Sequence, residues 1–263
     1  MKQRKIILSR KGFDSEYGGI PSPILPDGTM LSLPIPSKGE NNKFENLFHN
    51  GISYAELIKE LGYKQEIEEC HLDPDLRYDA IVRSSNWRAC FGQSGAAASH
   101  LLSNDVGVGD IFLFFGWCRL TEYDSNGKLR YVRGASDIHA IYGYLQVGEI
   151  AATKEEREKF QWHPHCNDVN YNNFIFTSGD SLLNGRYPGA GVFKFNERVQ
   201  LTKEGMTRSK WELPNCLRDV QMTYHSSKSY KEDYFQSAMI GQEFVLNSNY
   251  EIEQWILSLF QEN

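Results

Sequence analysis

The densest group of chemically useful side chains follows the first short apolar run of the chain. Residues 9–24 read SRKGFDSEYGGIPSPI. Arg10 and Lys11 can bind a phosphate or carboxylate, and Asp14 can act as a base or stabilise a developing cation. No Gly-Lys-Ser/Thr follows, so this is not a Walker phosphate loop. The stretch predicts either a solvated turn or an active-site loop. The further ligand contacts expected in it are Ser9 and Ser22.

A second polar segment, GQSGAAASH at residues 92–100, lies at the start of a predicted helix. Free N–H groups and the helix dipole at such a start can bind an anion or a nucleotide. Gln93, Ser94 and His100 would then contact the ligand. The alternative is close helix packing through the three alanines of the segment.

Two histidines lie two residues apart in HPHC, at His163 and His165. On a strand both side chains would face one side. A zinc site needs a third and usually a fourth ligand, and candidates are Cys166, Asp168, or the histidine and two aspartates of HLDPDLR at residues 71–77. Hydrogen-bonded or base-contacting histidines are the simpler expectation. We therefore expect no cofactor, with His163 and His165 as the ligands of any metal.

Aromatic residues beside glycines near strand ends provide a third candidate. Trp117 and Tyr144 could form a platform on which a base stacks. The alternative for both is a place in the hydrophobic core. Gln146, on the same predicted strand as Tyr144, is a further candidate ligand contact.

Composition excludes several classes of protein. The 34 acidic and 28 basic side chains of the 263 residues give a net charge of −6, so no global field would hold a long nucleic acid. The longest apolar run, residues 111–115, is far shorter than the roughly 20 residues that span a bilayer. The five cysteines form no Cys-x-x-Cys pair, which favours free thiols in a reducing compartment. We expect a cytoplasmic protein without a signal peptide.

The elements that must position these residues follow from periodicity and turn signals. SYAELIKELGY predicts a capped helix, GDIFLFFGWCRL a buried strand, YDSNGKLRYV a hairpin, and IHAIYGYLQVGEI another strand. EIEQWILSLF predicts an amphipathic helix near residue 255. The sum is an α+β protein with a strongly bent mixed sheet or a PUA-like β-barrel core, surrounded by peripheral helices.

Sequence blocks along nearly the whole chain resemble one known family. These blocks are ILSRKGFDS, GGIPSPILPDG, LSLPIP, GQSGAAASHL, GDIFLFFGWCR, IHAIYGYLQVGEI, HPHC, SKWELP and GQEFV. They are similar to the third nucleotide modification associated domain family, whose bacterial and phage members are linked by gene neighbourhood to DNA base modification. The resemblance implies one domain over residues 1–263 and a role on nucleotides, without fixing a reaction.

A second resemblance covers residues 109–150. GDIFLFFG and IYGYLQVGEI look like the paired strands of PUA-like folds, including EVE and YTH domains, separated here by a long insertion. This resemblance implies a PUA-like core at about residues 80–200 that holds a modified base in an aromatic-lined pocket.

Together these observations favour an enzyme that acts on modified bases or nucleotides of DNA in a phage–bacterium conflict system. N-glycosidic cleavage or base modification are the reactions considered. Asp14 would be the acid/base or cation-stabilising group, Arg10 and Lys11 would bind phosphate, and His139 or His165 would supply a proton. A non-catalytic PUA-like reader of a modified base and a zinc-dependent hydrolase are the alternatives. The expected partner is DNA or a nucleotide with a modified base, with no membrane contact.

Overall fold

The computed structural model describes residues 3–167, 171–183, 185–218, 220–239 and 241–260. Within them, the helices are α1 (Tyr54–Glu60), α2 (Gly95–Ser103), α3 (Lys154–Arg157) and α4 (Tyr250–Ser258). The strands are β1 (Lys5–Arg10), β2 (Ser22–Ile24), β3 (Ile35–Pro36), β4 (Phe48–His49), β5 (Ile52–Ser53), β6 (Cys70–His71), β7 (Cys90–Gln93), β8 (Ile111–Tyr123), β9 (Leu129–Tyr131), β10 (Ile138–Ala151), β11 (Phe174–Ser178), β12 (Ser181–Leu182), β13 (Tyr187–Pro188), β14 (Ala190–Val192), β15 (Lys210–Trp211), β16 (Phe235–Gln236) and β17 (Glu243–Asn247).

One large mixed sheet contains nine of these strands. Its main path runs β17-β1-β8-β10-β11-β7, while β2 and β9 pair with β8, and β14 pairs with β10. The α+β mixed-sheet prediction is confirmed. No pairing among the described strands closes this sheet, so the barrel alternative finds no support. Four pairs of short strands lie outside it.

The strands β8 and β10 form the centre of the sheet because their sequences are apolar almost without interruption. Such continuous runs are typical of strands that are buried on both faces. Residues 111–116 are all buried, as are residues 138–145. The predicted hairpin after β8 is confirmed, because Thr121–Tyr123 pair with β9.

The loop between β1 and β2 crosses one short interval of β8. The strand β1 pairs in parallel with Ile111–Phe115, and β2 resumes parallel pairing at Cys118. Lys11 donates its backbone N–H to the Phe115 carbonyl at 2.9 Å. A Cβ atom at Gly116 would lie 2.8 Å from the Lys11 carbonyl oxygen. Glycine at 116 therefore lets the loop approach the sheet.

The loop is anchored by an aromatic side chain. Phe13 is 1% exposed and packs its ring against Phe44 and Tyr63, in a second hydrophobic cluster around α1. Residues 11–13 are buried, whereas residues 15–17 are exposed. The solvated-turn interpretation is therefore wrong for the first half of the loop.

The predicted helices form where their caps indicated. The Ser53 hydroxyl accepts the Glu56 N–H, and the Glu56 carboxylate accepts the Ser53 N–H, which completes a capping box. Ser94 occupies the N-cap position of α2, but its side chain makes no capping hydrogen bond. None of the described helices has the length and apolar character needed to cross a membrane.

The segment HPHC is not a strand, so the strand geometry considered for its two histidines does not apply. Pro164–Cys166 form one turn of 3-10 helix, with His163 at the N-cap. Proline favours this start because its fixed φ suits the first helical position and its missing N–H is not needed there. Asp168, the other ligand considered in this segment, lies outside the described residues.

We expect Gly116→Ala to destabilise the fold by about 1–3 kcal/mol, because the new methyl group would overlap the Lys11 carbonyl. The matched control is Gly179→Ala, whose Cβ would lie 3.7 Å or more from its nearest neighbours. Urea unfolding of both variants measures the difference. Equal losses in the two variants would contradict this account of the close approach.

Candidate active site

A buried ion pair joins the opening loop to the last strand of the sheet. Lys11 Nζ lies 3.0 Å from Glu243 Oε1, and both side chains are less than a tenth exposed. Gln93 Nε2 donates to the same oxygen at 2.8 Å. The Lys11 ammonium also lies over the ring of Phe91, 4.6 Å from its centroid. The opening loop and the segment 92–100 therefore meet at Glu243.

Several polar atoms of this cluster are buried without a partner. Ser9 is the cross-strand neighbour of Glu243 in the β1–β17 ladder. Within the described residues, neither the Ser9 hydroxyl nor Glu243 Oε2 has a hydrogen-bond partner. The Tyr142 hydroxyl is also buried without a hydrogen bond of good geometry, and burial raises its pKa more than the nearby Ser32 hydroxyl lowers it. Unmet polar groups at such depth are rare in folded proteins and call for an explanation.

A second group of polar residues lies at the edge strand β7. The Gly92 N–H donates to Asp73 Oδ1 at 2.8 Å, and His163 Nε2 lies 3.2 Å from the same oxygen. His163 Nδ1 accepts the His165 backbone N–H, so the His163 proton is on Nε2 and is donated to Asp73. Both nitrogens of His163 are thus used within the protein.

The imidazole of His165 lies against that of His71. Their Nε2 atoms are 3.3 Å apart, and the Nδ1 atoms contact Asn173 Oδ1 and Glu40 Oε1 respectively. A Cβ atom at Gly92 would lie 2.3 Å from the His165 ring, so this contact requires glycine. The His71 and Glu40 side chains are 28% and 19% exposed, which places them where the buried group reaches the surface.

The positive charge of Lys11, which pairs with Glu243, also lowers the pKa values of two residues in the neighbouring histidine group, His71 and Asp73. Burial and the charge of Lys11 lower the pKa of His71. The hydrogen bond to Glu40 and the charges of Asp73 and Glu40 raise it by more, so the pKa lies above its ordinary value. Burial raises the pKa of Asp73, but the hydrogen bond from His163, with the positive charge of Lys11, holds it below its usual range. The candidate active site therefore consists of Lys11, Gln93 and Glu243 beside His71, Asp73 and His165.

Arg10 and Asp14, two other charged residues of the opening loop, make their hydrogen bonds outside this site. Arg10 donates to the carbonyls of Met239 and Gly241. Burial lowers the pKa of Arg10, an effect that Asp14 opposes and Arg208 reinforces. Alternation along β1 directs Ser9 and Arg10 to opposite faces.

Asp14 has a local structural contact. Its Oδ1 accepts the N–H groups of Glu16 and Tyr17 at 2.8 and 2.7 Å, which closes a turn. Arg208 donates to Ser15 and lies over the ring of Trp117, 4.3 Å from its centroid. Asp14, Arg10 and Arg208 therefore form a separate charged surface beside Trp117.

His139 lies in an aromatic environment. Its ring packs edge-on against Phe115 and Trp211, and its Nδ1 accepts the Trp211 indole N–H at 3.1 Å. Burial, with the positive charges of Arg208 and Arg10, lowers the pKa of His139 well below its ordinary value. His139 is therefore neutral in the fold and lies on the Arg10 side of the sheet.

The remaining predicted contact residues are distributed over the structure. The Ser22 hydroxyl accepts the Leu33 N–H, and Gln146 Oε1 accepts the Leu183 N–H. His100 Nε2 contacts the Thr223 hydroxyl, and Tyr144 packs against Phe193 and Phe260. Tyr144 and Trp117 thus have different neighbours, so nothing favours an aromatic platform made by the pair.

A wide cleft of about 1000 Å³ lies elsewhere, between residues 203–213 and 218–235. Trp211, Tyr234 and Phe235 line it together with charged side chains. Two of its polar groups already have partners, since Lys203 Nζ donates to the Asp233 carbonyl and the Tyr230 hydroxyl donates to the Val220 carbonyl. It does not include the buried polar atoms of the candidate site.

Three central residues, Glu243, His71 and Asp73, were not among the predicted site residues. The sequence signal for Glu243 was its position as a carboxylate within the otherwise apolar strand EFVLN. His71 and Asp73 were considered only as sources of metal ligands. The sequence could not show which residues they contact. Strand pairing brings Glu243 to Lys11, and a loop brings Asp73 to Gly92.

The comparisons with known proteins agree with the sequence blocks. The chain belongs to the family described as nucleotide modification associated domain 3, whose model matches residues 5–247. This family assignment supports a role in nucleotide or DNA modification systems. No curated protein and no solved structure matches the chain, so the PUA-like resemblance has no structural support.

We expect Lys11→Met and Glu243→Gln each to lower the free energy of unfolding by about 3–5 kcal/mol, because each leaves a buried charge or acceptor without its partner. The double variant should recover most of this loss. Chemical unfolding of the three variants measures the coupling. The exposed pair Arg130 and Glu122 is the matched control, where the same cycle should give less than about 1 kcal/mol. A double-variant loss equal to the sum of the single losses would contradict the contact.

We also expect acid to destabilise the fold through His139. The unfolded chain binds a proton at an ordinary histidine pKa of about 6.5, whereas the folded state does not. The contribution of neutral His139 to the free energy of unfolding is therefore fully present above that pH. Below that pH it falls by at most about 1.4 kcal/mol per pH unit. Unfolding measured from pH 7.5 to 5 should decline less steeply in His139→Gln. An unchanged slope would contradict the assignment.

Proposed function

We propose that the protein is an enzyme acting on a modified base or nucleotide of DNA, with the cluster of Lys11, Gln93 and Glu243 as its active site. The observation that carries this proposal is the pair of unpartnered buried atoms, Glu243 Oε2 and the Ser9 hydroxyl, in the described residues. A polar ligand that supplied their hydrogen bonds would remove the cost of burying them, which is on the order of 1–3 kcal/mol for each group.

The residue types suit chemistry at a glycosidic nitrogen. Glu243 Oε1 is held by Lys11 and Gln93, which leaves Oε2 to accept a hydrogen bond or stabilise positive charge on a sugar. The ammonium of Lys11 has three N–H donors, and one can be directed to an oxygen or nitrogen of the leaving base. N-glycosidic cleavage uses such a carboxylate with such a donor.

A second candidate site is the charged surface of Arg10, Asp14 and Arg208. The observation in its favour is the indole N–H of Trp117, which is buried and has no partner in the described part of the chain. A phosphate could bind the two arginines. Asp14 would then be the acid/base or cation-stabilising group. To reach the ligand, it would have to give up its hydrogen bonds from the Glu16 and Tyr17 N–H groups.

The test compares variants of the two candidate sites on DNA and on free nucleotides that carry modified bases, with products followed by liquid chromatography and mass spectrometry. We expect Glu243→Gln to lower turnover at least about 100-fold, because it removes the charge that faces the reacting centre. Asp14→Asn should retain most activity, and Glu122→Gln, a surface carboxylate in an exposed ion pair, is the matched control.

The double variant Lys11→Met with Glu243→Gln separates catalysis from stability. It should fold well and remain inactive. Full activity in Glu243→Gln with loss in Asp14→Asn would transfer the active site to the second candidate. Tight binding of modified DNA by the wild type without any turnover would favour a reader over an enzyme.

A further inference from the structure

The protonation of His71 and His165 follows from their neighbours. Asn173 Nδ2 donates to the His165 carbonyl at 2.8 Å, so its Oδ1 is the atom that faces His165 Nδ1 at 2.9 Å. The His165 ring proton is therefore on Nδ1. His71 Nδ1 lies 2.8 Å from the Glu40 carboxylate and also carries a proton. In the neutral rings, both Nε2 atoms thus present lone pairs to each other.

Two lone pairs at 3.3 Å need a positive species between them. One solution is a proton on His71, which would donate to His165 Nε2 across 3.3 Å, at the long end of the hydrogen-bond range. The other is a metal ion. Two nitrogens that each lie about 2.0–2.1 Å from zinc at a tetrahedral angle are about 3.4 Å apart. The observed separation of 3.3 Å also fits this second arrangement.

Asp73 supplies the third ligand. One nitrogen of each histidine and one oxygen of Asp73 all lie within 4.8 Å of one another. Asp73 Oδ1 is held by the Gly92 N–H and by His163, and the two ligand histidines donate to Glu40 and Asn173. Each ligand is therefore oriented by a further hydrogen bond, as is usual around protein-bound metals.

We infer that His71, Asp73 and His165 bind a first-row divalent metal ion, with positions left open for water or substrate. Two imidazoles and one carboxylate are the ligands of catalytic zinc sites and of non-haem iron(II) sites. His163 is then a positioning residue for Asp73 and not a ligand.

This inference adds a metal to the proposed active site, but it does not depend on the proposed function. Zinc would activate a bound water, and iron(II) would support chemistry with oxygen. The ligand set is common to both ions. Direct binding measurements with each ion separate the two.

The experiment uses the full chain, without an affinity tag, after removal of metals by a chelator. Zn²⁺ and, under anaerobic conditions, Fe²⁺ are titrated separately by calorimetry, and Co²⁺ is used as an absorption probe of coordination number. We expect one ion per chain. His71→Gln should weaken binding on the order of 100-fold or more. Because His71 is the most exposed of the three ligands, this variant is the least disruptive choice.

Two further variants keep the test informative if His71→Gln does not fold. Glu40→Leu and His163→Phe each remove a supporting hydrogen bond and should weaken binding about 10–100-fold. The matched control is His100→Gln, a half-buried histidine on α2 that contacts Thr223, which should bind metal as the wild type does.

The inference is overturned if the wild type binds none of these ions, since the His71–His165 contact is then a shared proton. It is also overturned if the ligand variants bind as tightly as His100→Gln. A protein that turns over modified nucleotides without binding metal would refute the metal site and leave the proposed function standing. Metal binding by the wild type without any turnover would refute the proposed function and leave the metal site standing.

Discussion

The burial of the Glu243 carboxylate inside β17 is the constraint to which the rest of the site is adapted. A charge at that depth is tolerated only with paired and hydrogen-bonded partners. Lys11 and Gln93 supply them from two distant parts of the chain. Because β1 lies between β17 and β8, the same ladder that buries Glu243 also delivers Lys11 to it.

The neighbouring histidine group follows from the same arrangement of strands. The strand β7 provides Gln93 to Glu243 and, one residue earlier, a glycine that makes room for His165 and holds Asp73. The 3-10 turn at Pro164 then places His163 and His165 so that their side chains make different contacts. His163 contacts Asp73, while His165 faces His71. Two polar groups of different chemistry are thus built on one short edge strand.

Local signals were sufficient to predict much of the fold. The apolar runs of β8 and β10, the capping box at Ser53 and the Asn126-Gly127 hairpin depend on residues close in sequence, and each was found. The strand geometry considered for HPHC does not apply, because Pro164 begins a helical turn. Lys11 and Gln93 were recognisable as candidate contacts, but their meeting at Glu243 depends on strand register, which a single sequence does not encode locally.

The pairing of β1 with β17 also has a consequence for synthesis. Lys11 is synthesised long before Glu243, its partner in β17. Contacts between such distant positions form late, because a long loop must close first. A ribosome-bound chain therefore carries a lysine without its counterion until almost every strand has been made. Any chemistry that needs this pair is therefore withheld until β17 has been made.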